Sequence, residues 1–143
     1  FSKFYATGSL FYGKTQTNLS ETGLIKSLDG FTSSSFNLGI FKKSVFHSFD
    51  SFGFKIIQPL RLEEANIEMS VPVRRTKYKE VLFDKYDLSL TPSGREVRAE
   101  FIYQRPILRG SFFTSLGYIK DQGHVSSDKA EPYITANWQF YLF

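Results

Sequence analysis

The chain contains no cysteine in its 143 residues. That excludes a disulfide framework, a thiolate metal site and a thiol nucleophile. Methionine occurs once and proline five times. No run approaches the roughly 18 consecutive apolar residues that a membrane-crossing helix needs, and the mean hydropathy is negative. The first residues, from Phe1, hold no basic-then-apolar leader, as expected if a leader has been removed or if this is the rear part of something longer. Internal repeats, low-complexity segments and domain boundaries are also missing. The two histidines, His47 and His124, stand beside turn residues without HExxH or any other metal-ligand spacing. Both are expected to be surface loop residues. "TPSGRE" at 91–96 holds a serine and a glutamate but lacks the GxSxG context and a placed histidine. The chain therefore offers no catalytic, cofactor-binding or metal-binding residue, and no enzyme activity is expected of it.

Charge is modest. The formal net charge is +4, and the only dense basic run is "RRTKYK" at 74–79. One short run is a weak nucleic-acid footprint; it reads as a solvated loop, although it has the chemistry to meet a phosphate. What the chain does have is aromatic residues: 16 Phe, 8 Tyr and 1 Trp. That bias favours strand over helix.

Turn signals recur at "DG" 29–30, "FDSFG" around 50, "EEAN" 63–66, "PSG" 92–94, "LRG" 108–110 and "DQG" 121–123. Between them residues alternate with period two. Val97, Ala99, Phe101 and Tyr103 oppose Arg98, Glu100, Ile102 and Gln104. Ile67, Met69, Val71 and Val73 oppose Glu68, Ser70, Pro72 and Arg74. This is the periodicity of strands. It gives about eight, near 3–14, 33–45, 51–62, 65–75, 81–91, 95–105, 110–120 and 132–143, in an antiparallel up-and-down succession. Pro59 and Pro72 fall inside strands, where proline marks an edge or a bulge.

The two faces choose the solvent. One side is apolar and aromatic, and the other is ionised, with more aromatics than one small core can take. A barrel in lipid has this pattern, greasy side out and charged side in, with strands of ~10 residues. Backbone groups must then pair around a closed sheet. Tyr5, Tyr12, Tyr103, Tyr118, Tyr133 and Tyr141 near strand ends suit interfacial belts. Arg61, Arg74, Lys85, Asp87, Arg98 and Glu100 are expected to line the lumen as an ion-pair ladder that serves structure first. In the last strand, Ile134, Ala136, Trp138, Phe140 and Leu142 share the apolar side. With the C-terminal end in the periplasm, counting back places 121–131 and 15–32 outside the cell and 74–80 on the periplasmic side.

At this point "SSSFNLGIFKKSVF", "DSFGFKIIQPLRLEEANIEMSVPV", "LSLTPSGREVRAEFIY" and "KDQGHV" carry a family likeness. They resemble the C-terminal β-barrel, or translocator, of autotransporter-like outer-membrane proteins, especially those with subtilisin-type serine peptidase passengers. The strongest strings are Gln58-Pro59-Leu60-Arg61 and Pro92-Ser93-Gly94-Arg95-Glu96. Gly123-His124 matches the end of a DPGH-like block that here reads Asp121-Gln122-Gly123-His124, without the proline. The likeness covers roughly residues 4–143. Such barrels resemble one another in ending on Phe with an aromatic or apolar residue two before it, as Phe143 and Tyr141 do, and this implies an assembly signal. Asn137 and Gln139 depart from the pattern.

The resemblance implies a twelve-stranded barrel of which residues 1–143 are the C-terminal part, truncated at the N-terminus. It implies an outer-membrane location, type V secretion of a covalently preceding passenger absent from this chain, and two partners: outer-membrane lipid and the barrel-assembly machinery. Nucleic acid is not an expected partner. The alternatives are a self-contained eight-stranded outer-membrane protein for adhesion or membrane integrity, and a soluble ligand-binding β-barrel.

Overall fold

The computed structural model describes residues 3–16, 24–28, 30–107 and 109–140. They form nine strands: β1 (Phe4–Thr15), β2 (Ile25–Leu28), β3 (Phe31–Lys43), β4 (Ser51–Glu64), β5 (Asn66–Arg75), β6 (Val81–Ser89), β7 (Val97–Ile107), β8 (Gly110–Lys120) and β9 (Ala130–Phe140). The protein is all-β. Its antiparallel strands form one six-stranded sheet, in the order β1-β3-β4-β7-β8-β9, and one three-stranded sheet, β2-β5-β6. The chain divides into two compact units, Phe1–Phe11 with Ser35–Arg61 and Ser93–Phe143, and Tyr12–Ser34 with Leu62–Pro92.

In the first unit the register is continuous from β4 to β9. Phe54 stands opposite Phe101, Phe101 opposite Leu116, and Leu116 opposite Ile134. Directly opposed residues share a face, so these four make one apolar row across four strands. The next row along, on the other face, runs Lys55, Glu100, Gly117 and Tyr133. The apolar row is the exposed one: Phe101 is 52% exposed and Ile134 74%, whereas Glu100 is only 9%. Trp138, at 59%, is open as well. Among the described residues the buried hydrophobic side chains are Ala65 and Ile102, against the polar Asp50, Gln58, Ser70, Glu96, Glu100 and Ser115. A water-soluble domain hides its large apolar side chains, each worth about 1.5–3 kcal/mol when fully buried. This sheet does the reverse.

On β7 and β8 the polar face is held by packing as well as by hydrogen bonds, while on β9 Thr135, Asn137 and Gln139 stay exposed. The Tyr133 hydroxyl donates to Glu100 Oε2 at 2.6 Å, and Ser115 and Thr135 share a hydrogen bond at 2.7 Å. On the same face Tyr5 stacks on Phe41, with ring centroids 5.2 Å apart. Room for that pair comes from Gly53, where a Cβ would fall 2.2 Å from the Phe41 ring. Tyr133, expected in an interfacial belt, instead belongs to this polar row.

Along the chain, the segments joining neighbouring strands of the six-stranded sheet alternate in length: 44–50 and 108–109 are the shorter ones, and 16–30, 65–96 and 121–129 the longer ones. β2, β5 and β6 lie within the long connections. In the second unit, β5 and β6 form a hairpin with Met69 opposite Tyr86 and Glu68 opposite Asp87, and its register shifts between Pro72 and Arg74. Proline has no N–H for the ladder, so a bulge there is its natural place. β2 adds to the free side of β5, with Leu28 opposite Ile67.

Three expectations change. The eight-strand succession is interrupted, because β4 pairs directly with β7 and the β5–β6 hairpin leaves the order. That removes 74–80 from the alternation of sides. No closed barrel is present among the described residues, since β1 and β9 are the two edges of the sheet. The six-charge ladder is divided: Arg61, Arg98 and Glu100 belong to the first unit, and Arg74, Lys85 and Asp87 to the second.

Candidate functional site: a latch between three motif segments

Parts of the strings that carry the family likeness, 58–61, 93–96 and 123–124, lie far apart in sequence yet converge in the first unit. β4 ends its described pairing with β7 at Ile57 and Arg98. Beyond that point Gln58 and Arg61 turn to the loop before β7. Arg95 Nη1 donates to Gln58 Oε1 at 2.7 Å, and Arg61 Nε donates to the Gly94 carbonyl at 2.8 Å. Pro59 lies between them, where the ladder to β7 has ended and a missing N–H costs least.

The third segment follows β8. The Gly94 N–H donates to the His124 carbonyl at 2.8 Å, and the Ser126 N–H to Ser93 Oγ at 3.1 Å. Glycine is required at 94 by this crossing: a Cβ would sit 2.6 Å from the Ser126 nitrogen. Asp121 and His124 hold left-handed backbone angles, with φ of 53° and 60°. The first aims its carboxylate at both neighbours, accepting from Arg95 N–H at 3.2 Å and Ser127 N–H at 2.9 Å. Those two donors hold the Asp121 carboxyl below its usual range.

Glu96 and His124 close the arrangement. Glu96 is buried; its Oε2 accepts the Gly123 N–H at 2.6 Å and its Oε1 accepts Arg98 Nε at 2.5 Å. Burial works to raise its carboxyl, but the Gly123 N–H and the Arg98 guanidinium outweigh it and keep the group below the usual carboxylate range. The Glu96 N–H donates to His124 Nδ1 at 3.0 Å, so the imidazole proton sits on Nε2, which donates to the Leu60 carbonyl at 3.0 Å. His124 is thus a half-buried neutral bridge and not the surface loop histidine its neighbours suggest.

Every expected motif position from 58–61, 92–96 and 123–124 falls at or beside this latch; the Leu60 side chain itself is exposed. Tyr141 and Phe143 lie outside the described residues. Glu68 and Lys85, in the second unit, form an ion pair at 2.7 Å on its surface.

One carboxylate escaped the sequence reading. Asp50, 1% exposed, accepts the backbone N–H groups of Val45, Phe46 and His47 at 2.7, 3.0 and 2.9 Å. The Tyr103 hydroxyl adds a fourth bond at 3.3 Å. Burial alone would raise this carboxyl; the four donors outweigh it and hold it low. "FDSFG" signalled a turn, but period and turn chemistry do not reveal which side chain gathers the turn's donors.

The latch contains no nucleophile poised against a base. Among the described residues there is no group of His, Asp and Glu that would hold a metal ion. Among the described residues no helix is long and apolar enough to cross a membrane, which leaves strands unaddressed. Comparison with protein-family models, curated proteins and solved structures gave no match.

Proposed function

We propose that this chain is part of an outer-membrane translocator barrel, which anchors and exports a passenger domain and has no enzymatic role of its own. The observation that carries the reading is the inverted burial of the six-stranded sheet. Phe101, Leu116 and Ile134 are open while Glu100 and Ser115 are enclosed, an arrangement favourable only if the outer solvent is hydrocarbon. The connections agree, shorter and longer ones alternating along the chain, as in barrels with short periplasmic turns and longer outer loops. The passenger and the export role rest on the resemblance of the 58–61, 92–96 and 123–124 strings, whose convergence into one latch gives them a shared structural task.

The two sheet edges bear on the alternatives. Unpaired backbone in hydrocarbon costs several kcal/mol per group, so β1 and β9 need further strands between them, as a twelve-stranded barrel supplies. A self-contained eight-stranded barrel would need β5 and β6 between β4 and β7, which instead pair with each other. A soluble barrel would bury the row that is exposed here.

The test uses the complete protein with its upstream sequence. Protease applied to intact cells should remove a passenger and leave residues 1–143 protected, in a membrane fraction whose SDS-gel mobility changes on boiling. A product soluble and monomeric without detergent contradicts the membrane reading. A heat-modifiable barrel with nothing upstream exposed to protease contradicts export alone.

A further inference from the structure

The basic run at 74–79 reads as a solvated loop in sequence, but its structure gives it a definite shape. It is the tip of the β5–β6 hairpin, closed by the Thr76 N–H to Glu80 carbonyl bond at 2.8 Å and the Lys79 N–H to Thr76 carbonyl bond at 3.0 Å. Lys79 takes a left-handed conformation, with φ of 66°. Arg74, Arg75, Lys77 and Lys79 are all exposed, and no side-chain hydrogen bond or ion pair neutralises them among the described residues. In the same hairpin Lys85 has Glu68. Four basic side chains gathered at the end of the hairpin, with Glu80 as the one acid between 74 and 80 and no ion pair between it and them among the described residues, keep an excess of positive charge that an anion relieves.

The tip is also greasy. An open cleft of about 550 Å³ lies among Pro72, Val73, Arg74, Arg75, Val81 and Phe83. Phe83 is exposed, and Tyr78, at 89%, stands clear at the turn. Apolar surface within a residue or two of uncompensated cations is the chemistry of an anionic amphiphile: the cations take the phosphates, and the cleft and Tyr78 take the region just below them. A nucleic acid would use the charges and stack on Tyr78 and Phe83, but would leave the aliphatic part of the cleft, Pro72, Val73 and Val81, unfilled.

We propose that the β5–β6 tip is a docking site for a phosphate-bearing lipid surface. It involves the second unit only and does not depend on export, although holding the chain in nanodiscs for its test rests on the membrane reading. Each basic side chain near such a surface contributes a factor of ~5, so four together give several hundredfold, roughly 600, in partitioning.

The full chain, held in neutral phosphatidylcholine nanodiscs, is mixed with vesicles of phosphatidylcholine alone or with phosphatidylglycerol added, and co-flotation is measured. Binding is expected only to the anionic vesicles. It should fall roughly several hundredfold when Arg74, Arg75, Lys77 and Lys79 are all changed to Gln, and by a smaller factor in a Tyr78→Ser, Phe83→Ser variant. Lys85→Gln, in the same hairpin, should leave it unchanged. Equal binding to both vesicle types, or retention in the four-Gln variant, overturns the proposal. Displacement of anionic vesicles by inorganic phosphate at matched ionic strength would reassign the site to free phosphate. A single-stranded oligonucleotide that binds as well as the vesicles would reassign it to nucleic acid.

Discussion

The two sheets use the same residue types to opposite effect. In the six-stranded sheet Glu100 is enclosed, receives the Tyr133 hydroxyl and shares its face with Lys55, while Phe101 beside it is open. In the three-stranded sheet Glu68 and Lys85 pair at the surface, and β6 is exposed along its whole length. A charge in the first sheet is fixed by its surroundings, so its loss should be felt. A charge in the second is screened by solvent, and pairs of that kind contribute little. The lesson is that alternation by itself does not name the solvent; which half of the alternation is enclosed does.

The sharpest way to break this comparison is to place a cation on each sheet. Leu116→Arg, on the exposed apolar row, should cost about 2–4 kcal/mol in bilayers if that row meets hydrocarbon. Leu88→Arg in β6 should cost about 0.5 kcal/mol or less, as surface changes do. Unfolding measured in lipid vesicles separates the two, and equal costs would erase the distinction.

The latch sharpens it next. Glu96→Ala removes a buried acceptor and leaves the Gly123 N–H unpaired, while the half-exposed Arg98 turns to water, so about 1–3 kcal/mol should be lost, with hydrogen-exchange protection falling at positions 123 and 96. Glu68→Ala should change neither stability nor exchange measurably. Gly94→Val should follow at about 1–3 kcal/mol, because the new side chain meets the Ser126 backbone. The cost should show as early proteolysis within 121–129.

The pH response is the smallest effect, and its sign is fixed. Glu96, Asp121 and Asp50 all have carboxyls held below their ordinary values. Their contribution is complete above the unfolded carboxylate range, ~4, and is lost as pH falls through the lower folded values. Stability should therefore be flat from neutral pH down to that range and decline only below it. Glu96→Gln should flatten part of the decline, which a series of unfolding curves across acidic pH will read.

Much of the strand pattern was legible in the sequence. All eight expected strands appear, most within a few residues of the expected bounds, because alternation over ten residues is a strong signal. β2 was missed; Ile25–Leu28 is too short to display a period and exists because β5 offers it a free edge. The departure of β5–β6 was illegible for a different reason. Periodicity identifies strands but not their partners, and β4 meets β7 only because Ser51–Ile57 and Arg98–Gln104 match in register. The motif positions were visible as strings, whereas their convergence depended on that same pairing. Pro72 at a bulge was foreseeable from the chemistry of proline; the neutral bridging role of His124 was not, since nothing in "DQGH" points to Leu60 or Glu96.

The most direct measurement of the central claim exploits the absence of native cysteine. Single cysteines at Phe101, Leu116 and Ile134, and at the exposed Thr135 and Asn137 on the opposite face, are spin-labelled in the full chain within lipid bilayers. Their collision rates with oxygen and with a water-soluble nickel complex are then compared. The account predicts oxygen-rich, nickel-poor environments for the first three and the reverse for the other two. Nickel access at 101, 116 and 134, with 135 and 137 shielded from it, would contradict the account.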